Sequence, residues 1–219
     1  MTYYYLVPKW FVGFDIFTEL IFAAITFAVA FFSFKVYRLS GQKEARLFGS
    51  SFLLISLSYI MWAIASFFIF SHYKGELTSL VIEKLATFAS IGVYTYILFF
   101  AAGLITLAYT KLKVNDGRIY YIMLGLGLML IVSSVNRIIT FHILVAFLLT
   151  FAIYSYFIEY SINKNKKTLL VALSLSLLLF SSIGFIFSLE YYQAYITGRL
   201  TELLAYIFIL ISLILSIRK

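Results

Sequence analysis

The sequence predicts an all-α bundle of seven transmembrane helices. Two observations carry that prediction. Seven charge-poor apolar runs divide the chain, at about 10–34, 47–71, 85–110, 119–135, 138–158, 168–189 and 200–217, and twelve of the seventeen Lys and Arg residues fall in every second gap between them. Hydrophobic residues make up 63% of the chain and charged residues 12%, against about 25% charged in an ordinary soluble domain. With runs this closely spaced, the whole of 1–219 reads as one transmembrane domain with short loops.

Taken in order, the first run (10–34) is followed by Lys35, Arg38, Lys43 and Arg46. The second (47–71) carries Ser51, Ser58, Trp62 and Ser66 on one helical face, and a polar gap over 72–84 precedes the third run (85–110). Ala102, Thr106 and Thr110 give that third helix a series of small residues at i, i+4, which lets helices approach closely in lipid. Lys111, Lys113 and Arg118 follow. The fourth run (119–135) is short, 17 residues, or about 25 Å of helix against a hydrocarbon core of about 30 Å. Residues 119–158 contain one charge, Arg137, and are too long for one span, so a turn is expected at Ser133-Ser134-Val135-Asn136-Arg137. The fifth run (138–158) leads to Lys164, Lys166 and Lys167, the sixth (168–189) to a second polar gap, and the seventh (200–217) to Arg218-Lys219.

Basic residues are retained on the cytoplasmic side, so the expected topology has the N-terminus outside and the C-terminus inside. The first run is preceded by Lys9 alone and followed by the basic cluster, the reverse of a secretory signal; it is expected to stay as a helix. The formal charge of +8 flanks the apolar runs on one side, where it meets anionic headgroups rather than nucleic acid. Tyrosines near the run ends, Tyr195 on the outer side and Tyr156 on the inner side among them, are expected in interfacial belts. The chain has no cysteine, which excludes disulfides, thiolate metal sites and a Cys nucleophile.

The first three and last three runs show a weak internal likeness. Ala30-Phe31-Phe32-Ser33-Phe34 matches Ala152-Ile153-Tyr154-Ser155-Tyr156, both second helices are dotted with serine, and Glu83-Lys84-Leu85-Ala86 matches Glu202-Leu203-Leu204-Ala205. Two three-helix units of like orientation joined by helix 4 are expected, a 3+1+3 parallel pseudo-repeat of the kind used by some transporters. The layout resembles that of the SWEET and PQ-loop proteins, but the sole proline is Pro8, before helix 1, so proline-hinged rocking is not available. It also resembles the layout of microbial rhodopsins, but the seventh run holds no lysine for a Schiff base.

The residues able to carry chemistry are few. Asp15 and Glu19 share one face of helix 1 at i, i+4. Acidic groups at that depth are costly unless they face a cavity or a partner. Glu83 and Glu202 stand at the expected starts of helices 3 and 7, where the helix dipole alone favours them. Arg137 and Arg199 are the nearest outer cations, and His142 lies one turn into helix 5. His72 and His142 make one lone pair of imidazoles, and no cofactor or metal site is expected from them. Glu159, near the inner end of helix 5, is expected to pair with Lys164 or Lys166.

Asp15, Glu19, Glu83, Arg137, His142, Arg199 and Glu202 together suggest an outward-facing acidic pocket for a small solute or cation. The alternative is a non-catalytic sensor or accessory module that docks a partner membrane protein or a second copy. No protease, hydrolase or phosphate-loop motif is present, so an enzyme is the less favoured class. The cell membrane is the expected location.

Overall fold

The computed structural model describes residues 12–72, 79–112, 114, 116–188 and 192–217, with side chains described for 14–69, 71, 87–112, 114, 116–188 and 193–215. Seven helices and no strand occur among them: α1 (Val12–Ser40), α2 (Lys43–His72), α3 (Ser79–Leu112), α4 (Gly117–Ser133), α5 (Arg137–Asn163), α6 (Lys166–Phe187) and α7 (Tyr192–Ile217). All except α4 are long and apolar enough to cross a membrane. The chain is a helical membrane bundle.

Local chemistry sets the breaks. Gly41 ends α1 with φ +69°, its N–H donating to the Tyr37 carbonyl at 2.8 Å, a left-handed backbone that glycine adopts without steric cost. Asp116, Asn136 and Asn165 each sit at an N-cap, their side chains accepting from the backbone N–H of Arg118, Ile139 and Lys167. The turn expected at 133–137 is present, with α4 ending at Ser133 and α5 starting at Arg137.

The largest departure from the sequence reading concerns α7. It starts at Tyr192 rather than 200, so Arg199 and Glu202 lie within the helix and not at its mouth. A run of apolar residues ends at a charge only when that charge must reach water; here both residues are buried, Arg199 against the acids of α1 and Glu202 against Arg199 and Tyr59 of α2. In α3, which starts at Ser79, Glu83 likewise falls inside the helix, although its side chain lies outside the described set.

The helices pack in a closed ring. The neighbours, in order, are α1, α2, α3, α5, α6 and α7, with α7 returning to α1; α4 lies outside, against the seam between α3 and α5. Taken as two triplets, α1–α3 and α5–α7, the ring has its α1·α2 and α2·α3 contacts in one and its α5·α6 and α6·α7 contacts in the other, joined at α3·α5 and α7·α1. The two seams between triplets are thinner than the contacts within each triplet.

Each ring helix leaves some of its bulky apolar residues exposed. On α1, Phe14, Phe17, Leu20, Phe27 and Phe31 are exposed, while Asp15, Thr18, Glu19, Phe22, Thr26 and Ser33 are buried. Buried hydroxyls mostly return to a carbonyl of their own helix, as Thr26 Oγ1 does to Phe22 at 2.6 Å and Ser33 Oγ to Val29 at 2.7 Å. In lipid every polar group needs such an internal partner. Some serines reach across instead: Ser56 donates to the Ala23 carbonyl of α1 at 2.9 Å, Ser181 to Gly198 of α7 at 2.9 Å, and Ser212 to Lys167 of α6 at 3.0 Å.

Candidate functional site

Two inward stripes meet at the α1·α7 seam. Helix α1 presents Asp15, Glu19 and Phe22, and α7 presents Tyr195, Arg199, Glu202 and Tyr206, all at helical spacings of three or four and all buried. Arg199 is the hub. Its Nε lies 3.2 Å from Asp15 Oδ1, its Nη2 donates to Glu19 Oε1 at 3.3 Å, and its Nη1 donates to Glu202 Oε2 at 3.4 Å. The same guanidinium donates to the Tyr195 hydroxyl at 3.0 Å from Nη2 and 3.2 Å from Nε, and Tyr195 in turn donates to Asp15 Oδ2 at 2.7 Å. Rings of Tyr195, Phe185 and Phe22 stand 5.2, 5.5 and 5.8 Å from the guanidinium carbon, within cation–π range.

Glu202 accepts a second hydrogen bond, from Tyr59 of α2, whose hydroxyl also pairs with Tyr206 at 2.8 Å. Asp15 and Glu19 each keep one oxygen, Oδ1 and Oε2, without a hydrogen-bond partner although both side chains are buried, and Ser66 of α2 is close to Glu19. The cluster therefore sets three carboxylates around one guanidinium, with two tyrosine hydroxyls covering Asp15 and Glu202 and none covering Glu19.

A cavity of about 650 Å³ opens beside this cluster, toward the end of the bundle opposite the basic loops. Aromatic rings dominate its wall: Trp62, Tyr94, Tyr96, Phe141, Phe185 and Tyr195. Its polar features are Arg199, Arg137, His142, Asn136, Ser90 and Ser134. Arg199 thus faces two ways, with the cavity on one side and its carboxylate partners on the other. No carboxylate lines the cavity among the described residues.

No family model, curated protein or solved structure matches the chain.

Of the residues selected from the sequence, Asp15, Glu19, Arg199 and Glu202 come together directly. His142 joins them through the cavity wall, buried on α5 with Nδ1 3.4 Å from the Ser182 hydroxyl of α6. Arg137 lines the same cavity and stands over the Tyr94 ring at 4.8 Å. The Glu83 side chain lies outside the described residues, as does that of His72. Among the described residues no group of three or more His, Asp or Glu is arranged to hold a metal ion.

Sequence reasoning missed Tyr59, Tyr206 and the role of Tyr195. Tyr195 was expected at the membrane surface and instead is 2% exposed, between Asp15 and Arg199. The available signal was the spacing Tyr195, Arg199, Glu202, Tyr206, a polar helical face inside an otherwise apolar run. At the basic end, Glu159 pairs with Lys111 of α3 at 2.8 Å rather than with Lys164 or Lys166, and the Lys111 ammonium sits 3.5 Å from the centre of the Tyr156 ring.

Proposed function

We infer that this membrane protein binds a small amphiphilic organic anion in the cavity beside Arg199. The observation that carries the reading is the wall itself, where, among the described residues, six aromatic rings stand with Arg199 and Arg137 as the charged groups. The volume suits a small solute, since ligand sites typically run from about 300 to 1,000 Å³. Aromatic faces would pack against an apolar body, and a carboxylate would be held by guanidinium donors, which match it in geometry and sign. The carboxylates behind Arg199 hold the guanidinium in place while leaving it on the wall.

The basic loops favour the cytoplasmic side, so the cavity is assigned to the outer side, and the cell membrane is the setting this orientation fits. A small solute or cation in an acidic pocket remains the alternative, supported by the three carboxylates gathered on Arg199. Docking of a partner membrane protein has no specific observation in its favour.

The test uses the tryptophans. The chain has two, and Trp62 lines the cavity. In a Trp10→Phe background, benzoate, benzylamine and benzyl alcohol serve as matched anionic, cationic and neutral probes. Saturable quenching of Trp62 by benzoate, weaker with the alcohol and absent with the amine, is the expected result. Saturable quenching by the amine alone, or by none of the three, overturns the reading.

A further inference from the structure

The basic end of the ring holds a second cavity, of about 230 Å³. Each of the six ring helices contributes to its wall: Ser33 of α1, Phe48 of α2, Thr110 of α3, Tyr156 of α5, Val171 of α6 and Ser212 of α7. A cavity touched by all six helices lies on the ring axis. The larger cavity at the other end is walled by five of them, α2, α3, α5, α6 and α7.

Between the two cavities, in helical register, come Ile55 and Tyr59 of α2, Leu104 of α3, Leu149 of α5, Leu175 of α6 and Tyr206 of α7. Each is at most 2% exposed. Two vestibules therefore face each other along one axis across a packed layer.

The two seams between the triplets are fastened differently, and the α3·α5 seam also carries Arg137 over the Tyr94 ring at the larger-cavity end. The α1·α7 seam is held by Asp15 and Glu19 on Arg199, at the end of the larger cavity. The α3·α5 seam is held at the basic end by Lys111 on Glu159, with the ammonium resting on Tyr156 of α5. Lys111, Tyr156 and Glu159 also line the smaller vestibule.

We propose that the protein is a carrier with alternating access, in which the two three-helix units rock so that the larger cavity closes as the Lys111–Glu159 pair parts and the basic-end vestibule opens. The proposal deepens the solute-binding reading and rests on it for what is carried. Rocking of like-oriented repeats around a central site is an established physical route to transport, and thin seams between units with firm packing inside them suit rigid-body motion. The part-buried Lys111–Glu159 pair biases the equilibrium toward the arrangement in which the α3·α5 seam is joined at the basic end, and its loss shifts the populations by the energy of the pair.

The cysteine-free chain allows a direct test. Ser33→Cys places a single thiol in the basic-end vestibule, and the rate of labelling by a small thiol reagent is read on the purified protein in nanodiscs. Glu159→Gln is expected to raise that rate about two- to fivefold, with Lys111→Gln doing the same. Adding Val93→Trp, which puts a bulky ring into the wall of the larger cavity and blocks its closure, is expected to return the rate to baseline. No rise on breaking the pair overturns the proposal. A rise that Val93→Trp leaves intact also overturns it, because it means local loosening without coupling between the ends. Neither arm uses benzoate, so failure here is separate from failure of the solute-binding reading.

Discussion

Arg199 and Glu19 lie 180 residues apart in the chain, yet Nη2 of the one donates to Oε1 of the other at 3.3 Å and both are buried. The contact closes the ring, because it joins the first helix to the last. It also fixes the depth of both helices, since a slip of either by one turn, about 5.4 Å, would leave the buried charges unpaired. Four features of the fold lead to measurable expectations.

Arg199→Gln leaves three carboxylates without their cation and should destabilise the detergent-solubilised protein by about 3–5 kcal/mol, the range for stripping one partner from a buried ion cluster. Glu19→Gln should cost no more than about 1 kcal/mol, because Arg199 keeps Asp15 and Glu202 and the unpartnered Oε2 is no longer part of a carboxylate. The double variant should be more stable than Arg199→Gln alone. Denaturant unfolding curves of the three proteins check the order; equal losses from both single changes would mean that Glu19 is as necessary as its partner.

Tyr195→Phe removes the hydroxyl that bridges Arg199 and Asp15. Leaving Asp15 Oδ2 without that donor should cost about 1–3 kcal/mol. Tyr121→Phe, at a ring 71% exposed, should leave stability unchanged. Thermal unfolding of the pair separates a buried structural hydroxyl from an interfacial one.

A methyl group at Gly103 of α3 would lie 2.8 Å from the Ser51 carbonyl oxygen and 2.7 Å from Ile55 of α2, whereas one at Gly125 of α4 meets nothing within 4 Å. Gly103→Ala should therefore force α2 and α3 apart and cost about 1–3 kcal/mol. Gly125→Ala should be neutral or stabilising by up to about 1 kcal/mol. Comparing unfolding midpoints tests whether the α2·α3 crossing is as close as described.

A reporter fused after Lys167, at the start of α6, should read cytoplasmic, in keeping with the basic residues at that end. An extracellular reading would invert the assignment of the cavity to the outside. In an experimental structure, α1, α2 and α3 should overlay on α5, α6 and α7 in that order by rotation about one axis along the bundle; a fit that requires a different helix order would make the repeat a coincidence of composition.

The seven helices were legible because lipid imposes a coarse rule: long apolar runs, and cations kept to alternate gaps. The short fourth helix was found by parity, and the turn before Arg137 by its polar residues. The start of α7 was not found. Arg199 reads as a boundary when each residue is judged against lipid alone, and its burial depends on carboxylates at the other end of the chain. Asp15 and Glu19 were picked out because acids at helical spacing in an apolar run demand a partner. Tyr59 and Tyr206 were not, because tyrosine in a membrane helix satisfies too many roles for its position to be informative until its neighbours are known. The two-sided placement of Arg199, and with it the sign of the cavity wall, is a matter of which layer each side chain occupies, and that information is absent from a one-dimensional pattern.

Helix α4 stands outside the ring, touching only α3 and α5, and its position has an arithmetic meaning. Each crossing of a bilayer reverses the direction of the chain. Three helices joined to three more would leave the second set upside down, and its stripes could never form a ring of like-oriented halves with the first. On the expected topology, in which α4 crosses as well, one added crossing restores the direction. Deleting α4 is then expected to do more than remove a peripheral helix: it would turn α5–α7 over, carry Arg199 to the opposite face of the membrane, and leave Asp15 and Glu19 with no cation to meet.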